Sequence, residues 1–425
     1  MFILLAVAVG LLLPSGVKSI DTEWLLSNLG TKTPYDQRKW DADGDSDPPK
    51  ACLSTPSHIE VLARHGARHT GKPSSMDDLA TALTALGSPL PWLDDYKYSG
   101  GEVDANMLLP LGVSEHASLG SRVKDRMGVG FFEEYNPNLL RFNSTSIARA
   151  GQSATSFLQG AGVQSPFVVM VPVEEDWGMR FYDSCDAWDL QTNAAVDEVV
   201  NTYVATNEFQ SALKQFNSLL KLPSGIKASF SQFTSSFEAC AYDLILSDDD
   251  SKFCSLMSEE IVQVNQYITD LKKFYQYGPA FETSRNFTAH LFKDLVESIE
   301  MGEGGGFKGT LRFAHAETVI PILSAIGVFD ADMLGEGGGL SPEKRDEERV
   351  FKSQKFFPFA ANVVIEVYEC DGDKRLKFLV NENEISSVRG CGGEVYCRFG
   401  DFKASVKDLL ELADEFSLLE ICKVV

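Results

Sequence analysis

The sequence predicts an α/β core into which an α-helical segment is inserted. Three observations lead there. Apolar runs that read as strands are each followed by a turn and a helix-like stretch, at residues 59–86, 139–160 and 309–326, the alternation expected of a parallel sheet covered by helices. Between the second and third of these units, residues 193–220, 229–246 and 258–275 carry helical periodicity, and strand-like runs are scarce. The composition, 44% apolar and 23% charged over 425 residues, is ordinary for a globular chain of about two or three domains.

In chain order, residues 1–19 read as a signal peptide. The apolar run 2–13 is too short to span a bilayer comfortably, and Pro14 and Gly16 break it before Val17-Lys18-Ser19. A basic n-region is missing, which leaves an uncleaved anchor as the alternative. No later run has membrane-spanning length, so no stable membrane span is expected. Cys422-Lys-Val-Val425 is not an endoplasmic-reticulum retrieval signal. Residues 20–50 are polar and irregular, a lead-in that wraps the domain.

Residues 59–63 form a buried strand that stops at Arg64, His65, Arg68 and His69. A helix over 75–86 ends at Gly87, and another over 111–123 starts after Pro110. Residues 139–146 alternate as a half-buried strand does. A turn carrying Arg149 follows, then a helix over 154–159 closed by Gly160. Residues 166–173 read as a further buried strand. Gly302-Glu-Gly-Gly-Gly306 is a flexible joint; without a Gly-Lys-Ser/Thr sequel it is no P-loop. A strand over 309–314 then leads through His315-Ala-Glu317 into a helix over 318–326. The Gly-rich run 335–339 and the charged run 343–349 form a surface loop. Strands over 362–370 and 376–381 join at Asp371-Gly372, and 403–416 is a closing amphipathic helix. This places the core at 20–182 and 301–425 and the helical insert at 183–300.

Charge narrows the function. The balance of 38 basic against 61 acidic side chains, net −23, lacks the basic footprint of a nucleic-acid binder. An anionic substrate needs a local positive field inside this acidic envelope, and Arg64, Arg68 and Arg149 supply one. Guanidinium groups grip phosphate oxygens in a bidentate way. His65, between two of them, is kept neutral by the cations and is a candidate nucleophile for phosphorus. Glu317 is a candidate acid for the leaving alkoxide, then a base for water; a protonated carboxyl at the start favours acidic pH. Fixed cations are the main asset in phosphoryl transfer, so no cofactor and no metal is called for. His65 and His69 are spaced like metal ligands, but the flanking arginines repel a cation. Ser247-Asp-Asp-Asp-Ser251 reads as a solvated loop rather than a calcium site. His58, His116 and His290 sit in no motif and are assigned structural or surface roles.

Cys52, Cys185, Cys240, Cys254, Cys370, Cys391, Cys397 and Cys422 make an even set, which in a secreted chain points to disulfides. Asn143-Ser-Thr and Asn286-Phe-Thr are glycosylation sequons consistent with that compartment.

Arg64-His-Gly-Ala-Arg68, Arg149-Ala-Gly-Gln-Ser-Ala-Thr-Ser-Phe-Leu-Gln-Gly160, Arg180-Phe-Tyr-Asp-Ser-Cys185, His315-Ala-Glu-Thr-Val-Ile-Pro-Ile-Leu323 and Pro358-Phe-Ala-Ala-Asn362 occur in that order. Together they resemble the histidine acid phosphatases, and among them the multiple inositol polyphosphate phosphatase branch. The resemblance runs from about Cys52 to near the C-terminus. It implies a histidine-phosphatase-like core, with a mostly parallel central sheet flanked by helices, plus the α-helical insert. It implies hydrolysis of inositol polyphosphates, phytate included, through a phosphohistidine on His65, with Glu317 catalytic and Arg64, Arg68, Arg149 and His315 holding the phosphate. The Glu317 version of the third motif is the one that branch shows; fungal phytases mostly have Asp there. His69, Arg180, Lys352 and Lys355 are candidates for the remaining phosphates. The partner implied is a small polyanion, the location the secretory pathway, extracellular or lysosomal/vacuolar. The implied disulfides are Cys52–Cys370, Cys185–Cys422, Cys240–Cys254 and Cys391–Cys397. One departure is Thr70, where the family usually has proline. The alternatives are a broad acid phosphatase, and an inactive relative that only binds inositol phosphates; filled catalytic positions speak against the latter.

Overall fold

A computed structural model describes residues 20–37, 46–133, 135–302, 306–330 and 339–424. The leader at 1–19, the middle of the 302–306 joint and most of the 335–339 run lie outside the described residues. The strands are β1 (His58–Arg64), β2 (Leu140–Thr145), β3 (Val168–Val171), β4 (Gly309–Ala314), β5 (Asn362–Cys370), β6 (Asp373–Val380), β7 (Asn383–Ile385) and β8 (Tyr396–Arg398). Among the described residues they make one eight-stranded sheet in the order β3-β2-β4-β1-β5-β6-β7, with β8 beside β6. The core strands β3, β2, β4 and β1 are parallel, and β5 to β8 extend the sheet antiparallel from β1.

The helices that precede and follow the first strands are α1 (Thr22–Leu26), α2 (Pro73–Ala85), α3 (Pro91–Asp95), α4 (Pro110–Met127) and α5 (Ala148–Gly160). Proline at the first helical position starts α2, α3 and α4, where its missing N–H has no partner to lose. Then come α6 (Asp186–Val204), α7 (Asn207–Leu219), α8 (Phe230–Ser247), α9 (Glu259–Gln276), α10 (Glu282–Asn286) and α11 (Ala289–Met301), before β4 and α12 (Ala316–Ala325). Thr206, Ser229 and Ser258 cap α7, α8 and α9 by accepting a backbone N–H.

Alternation along β1 sorts its side chains to two faces. Ile59, Val61 and Ala63 pack with Leu119, Val123 and Phe157 of α4 and α5. Leu62 faces the larger cluster, which joins α11 and α12 to the aromatic core of α6 to α9. Glu60 is buried too, satisfied by His58 Nε2 at 2.7 Å and Arg312 Nη1 at 2.5 Å; Arg312 also pairs with Asp294.

Three sequence expectations are corrected. The helix expected at 154–159 begins at Ala148, although Ile147 offers no side-chain cap; packing of Ala150, Ala154 and Phe157 overrides the weak start signal. Residues 166–173 are not a buried strand: β3 is an edge strand with Val169 and Met170 exposed. The closing helix is two helices, Phe399–Ser405 and Lys407–Glu415, and Leu418–Val424 adds a third.

All four implied disulfides are present: Cys52–Cys370, Cys185–Cys422, Cys240–Cys254 and Cys391–Cys397. The first two span 318 and 237 residues, loops long enough to restrict the unfolded chain strongly. Among the described residues no helix is long and apolar enough to cross a membrane.

Candidate active site

β2, β4 and β1 lie side by side and parallel, so their C-terminal ends open on one edge of the sheet. The register sets Arg64 beside Ala314 and Phe313 beside Ser144. The residues that follow each strand therefore meet there, the edge at which open α/β sheets collect ligands.

The loop after β1 is clamped from three sides. His65 N–H donates to Ala314 O at 3.0 Å, and Arg64 N–H to Ala361 O at 2.7 Å. Ala360 N–H returns a bond to His65 O at 3.1 Å, so the Pro358–Asn362 motif is a support for this loop. Gly66 N–H donates to Ser153 Oγ at 3.1 Å, which donates to Arg149 O at 2.8 Å and ties the loop to α5. A Cβ on Gly66 would stand 2.6 Å from Gly112 O, which is why only glycine fits where the loop crosses α4. Thr70 N–H donates to the Tyr98 hydroxyl at 3.3 Å, a bond that proline could not make.

α4 adds two supports: Glu115, which was not foreseen, and His116, for which a structural or surface role was expected. The Glu115 carboxylate accepts from Ala67 N–H at 2.7 Å and from Tyr35 N–H at 2.8 Å, and burial pushes it up to about 7. His116 Nε2 donates to Arg64 O at 3.0 Å, and burial pushes it down to about 4. As pH falls from the ordinary histidine range to about 4, the unfolded chain binds a proton that folded His116 refuses, so stability falls. The loss is at most about 3 kcal/mol. His116→Gln, which keeps an N–H donor but does not titrate, is expected to flatten that decline. Denaturant midpoints of both proteins across the window check it.

A cleft of about 520 Å³ is lined by Arg64, His65, Arg68, Arg149, Arg180, His315 and Glu317, with Thr31, Lys32, Tyr182, Asp183, Asp189, Lys273 and Tyr277 around them. The structure thus brings together the six residues expected at its centre, and Arg180. His69 instead lies against Tyr98, with Nδ1 3.5 Å from the hydroxyl. Neither it nor Lys352 nor Lys355 is a lining residue. Lys352 stands at the N-cap position of the short helix Ser353–Phe356 without a side-chain cap bond, and the Lys355 ammonium sits over the Phe356 ring at 5.4 Å. Asn143 lies in β2 between β3 and β4, and Asn286 at the end of α10.

His65 Nδ1 donates to Gly66 O at 2.9 Å, which leaves Nε2 as the unprotonated nitrogen. Burial, then Arg64, Arg149, His315 and Arg68, hold the imidazole well below its ordinary range. Arg149 Nη2 donates to His315 Nδ1 at 3.4 Å, so His315 Nε2 carries the proton toward Thr145 Oγ1 at 3.1 Å. Burial and Arg149 lower His315 to about 3.

Arg64 Nη1 donates to Thr31 O at 2.7 Å and Phe357 O at 2.6 Å, and its guanidinium lies over Phe359 at 4.7 Å. Arg68 Nη1 donates to His69 O at 2.7 Å and to the Tyr242 hydroxyl at 3.1 Å. Among the described residues no carboxylate pairs with Arg64, Arg68 or Arg149 in these bonds, and each keeps a buried Nε–H without an acceptor. Burial lowers Arg64 and Arg149 to about 10, which leaves both charged. Three clustered cations with unused donors are a binding site for an anion.

The acid candidate has a partner the motif did not disclose. Glu317 stands in the first turn of α12, and Lys273 Nζ of α9 donates to its Oε1 at 2.8 Å. Burial alone would raise the carboxyl; Lys273, with His315 and the backbone N–H of Glu317, outweighs it and holds Glu317 well below the usual carboxylate range. The protonated starting state expected of Glu317 is therefore not its state in this arrangement. Lys273 was not foreseen because its helix shows only an amphipathic period, and Lys272 beside it is equally eligible.

The family model of the histidine phosphatase superfamily (branch 2) matches residues 57–389. Multiple inositol polyphosphate phosphatase 1 of Gallus gallus is 27% identical over 404 residues, covering 88% of this chain and 86% of its own length. An acid phosphatase of Saccharomyces cerevisiae is 24% identical over 422 residues, covering 93% and 86%. The crystal structure of a phytase from D. castellii superimposes with a TM-score of 0.72 at 18% identity, over 97% of this chain and 91% of that one. The Bifidobacterium longum multiple inositol polyphosphate phosphatase, in complex with inositol hexasulfate, gives 0.68 at 18% identity, over 90% and 97%. The chain belongs to the histidine phosphatase superfamily, branch 2, and is a histidine acid phosphatase that hydrolyses phosphate esters.

Proposed function

We propose that this enzyme dephosphorylates inositol polyphosphates, phytate and its lower homologues, through a phosphohistidine on His65, and that it works in the secretory pathway or beyond it. The observation that carries this reading is the trio Arg64, Arg68 and Arg149, which among the described residues pair with no carboxylate and line one cleft with His65, whose Nε2 is unprotonated. In the proposed reaction these arginines and His315 hold the phosphoryl oxygens. His65 Nε2 forms the P–N bond as the ester P–O bond breaks, and the leaving oxygen takes a proton from Glu317. Water, giving its proton back to Glu317, then releases phosphate and restores His65. The four disulfides support a secretory location. Glycosylation at Asn143 and Asn286 and the division into a core (20–182, 301–425) and an insert (183–300) belong to the same proposal.

A second reading, a broad acid phosphatase for small monoesters, draws on one observation. The cations at the rim are already neutralised within the chain: Lys273 by Glu317 at 2.8 Å, Arg180 by Asp183 at 2.6 Å and Lys32 by Glu238 at 3.1 Å. kcat/KM for phytate and for an aryl phosphate, measured side by side at mildly acidic pH, separates the two. Phytate is expected to be preferred by about tenfold or more, as about 1.4 kcal/mol of extra contact provides. A preference for the aryl ester would favour the broad enzyme.

A further inference from the structure

We infer that Lys273 decides when Glu317 can act as an acid: it holds the carboxylate ionised until a second anionic group on the substrate, beside the scissile phosphate, draws the ammonium away. This rests on the inositol polyphosphate reading above. Lys273 belongs to α9 and Glu317 to α12, so their 2.8 Å pair joins two elements that both line the cleft. Both side chains are only partly buried, at 19% and 29% exposed, within reach of a ligand in the cleft. The Lys273 ammonium also lies over the Tyr277 ring at 4.7 Å. A carboxylate bonded to an ammonium has no proton to give.

The groups facing Glu317 set the direction. Arg64 comes from the loop after β1, Arg149 from α5, His315 precedes α12, Tyr182 precedes α6 and Tyr277 follows α9. A bound phosphate offsets the arginines, so Lys273 and the Glu317 backbone N–H are then the brakes on protonation, and of these only the ammonium can turn to a substrate. Once it turns to a neighbouring phosphate, Glu317 takes a proton from solvent. That proton passes to the leaving oxygen, which keeps the electron pair of the broken P–O bond. Lys273 is thus a positioning residue that acts through Glu317, and the substrate's second phosphate licenses its own hydrolysis. Simple monoesters lack that licence.

The test uses the full enzyme and three substrates. Inositol 1-phosphate and inositol hexakisphosphate share a poor alcohol leaving group; p-nitrophenyl phosphate leaves without a proton. In the wild type, kcat on inositol hexakisphosphate is expected to exceed kcat on inositol 1-phosphate by about tenfold or more. Lys273→Met is expected to raise kcat on inositol 1-phosphate about tenfold and to move the alkaline limb of its pH profile upward. It should raise KM for inositol hexakisphosphate and give no such gain in kcat on p-nitrophenyl phosphate, whose leaving group needs no proton. Lys273→Arg should behave as wild type. Parallel loss on all three substrates, or an unmoved limb, would overturn the inference. So would equal wild-type kcat on the two inositol esters, a comparison that needs no variant. If the wild type released nothing from inositol hexakisphosphate, the substrate reading and the licensing step would fall together. The Lys273→Met result on inositol 1-phosphate would still show whether Lys273 restrains Glu317.

Discussion

Replacing His65 with alanine is expected to lower phosphate release from every ester by at least about 10⁴-fold, with the fold intact. The size follows from the absence of a substitute. His315, the only other imidazole lining the cleft, already accepts from Arg149 and is bonded to Thr145. His65 Nε2 is the nitrogen left free by the Nδ1 bond to Gly66. Burial and the surrounding cations keep it unprotonated well below the usual histidine range. The acidic limb of the wild-type rate profile should therefore not be the protonation of this nucleophile. Phosphate release by the purified variant, alongside its thermal unfolding curve, is the check. Retained turnover in a folded His65→Ala protein would remove His65 from the mechanism.

The second large effect is expected at Arg149. Removing one fixed donor from a developing phosphoryl charge typically lowers kcat by about 10²–10³-fold, and Arg149→Met should fall in that range. Its stability should move the other way. Arg149 is a half-buried guanidinium with a buried, unused Nε–H and no carboxylate partner among the described residues. Desolvating such a charge opposes folding, so methionine is expected to hold or raise the unfolding temperature. Lysine should rescue little, because a point charge cannot reproduce a two-pronged grip. A variant that loses stability and activity together would make Arg149 a structural residue instead.

The parts of this site that the sequence disclosed are those set by short-range rules. β1 is a mostly apolar run ending in charge, and β4 was foreseen to the residue, because buried parallel strands are rich in apolar residues even where an internal pair such as Glu60 and Arg312 interrupts them. Arg64, His65, Arg68, His315 and Glu317 follow such strands directly, so their meeting at one edge needed only the topology. What stayed hidden arrives from far along the chain. Residues 20–50 looked like an irregular lead-in, yet Thr31 O receives Arg64 Nη1, Thr33 O receives Phe359 N–H, and Lys32 lines the cleft. Glu115 sits on a helix whose period says only that one face is buried; that its carboxylate would cap Ala67 N–H depends on how α4 meets the loop. Lys273 was one of two adjacent lysines on α9 until the fold brought it to Glu317 of α12. The edge position of β3 escaped for a related reason: an apolar run does not reveal whether a sheet continues past it.

The most direct measurement is to trap the covalent intermediate. Enzyme mixed with radiolabelled substrate, quenched in alkali within a turnover and digested, is expected to carry acid-labile, alkali-stable label on the peptide containing His65. The His65→Ala protein should carry none. Label on a serine or a carboxylate, or no label under conditions where turnover is limited by hydrolysis of the intermediate, would contradict a phosphorylated His65 held among Arg64, Arg68 and Arg149.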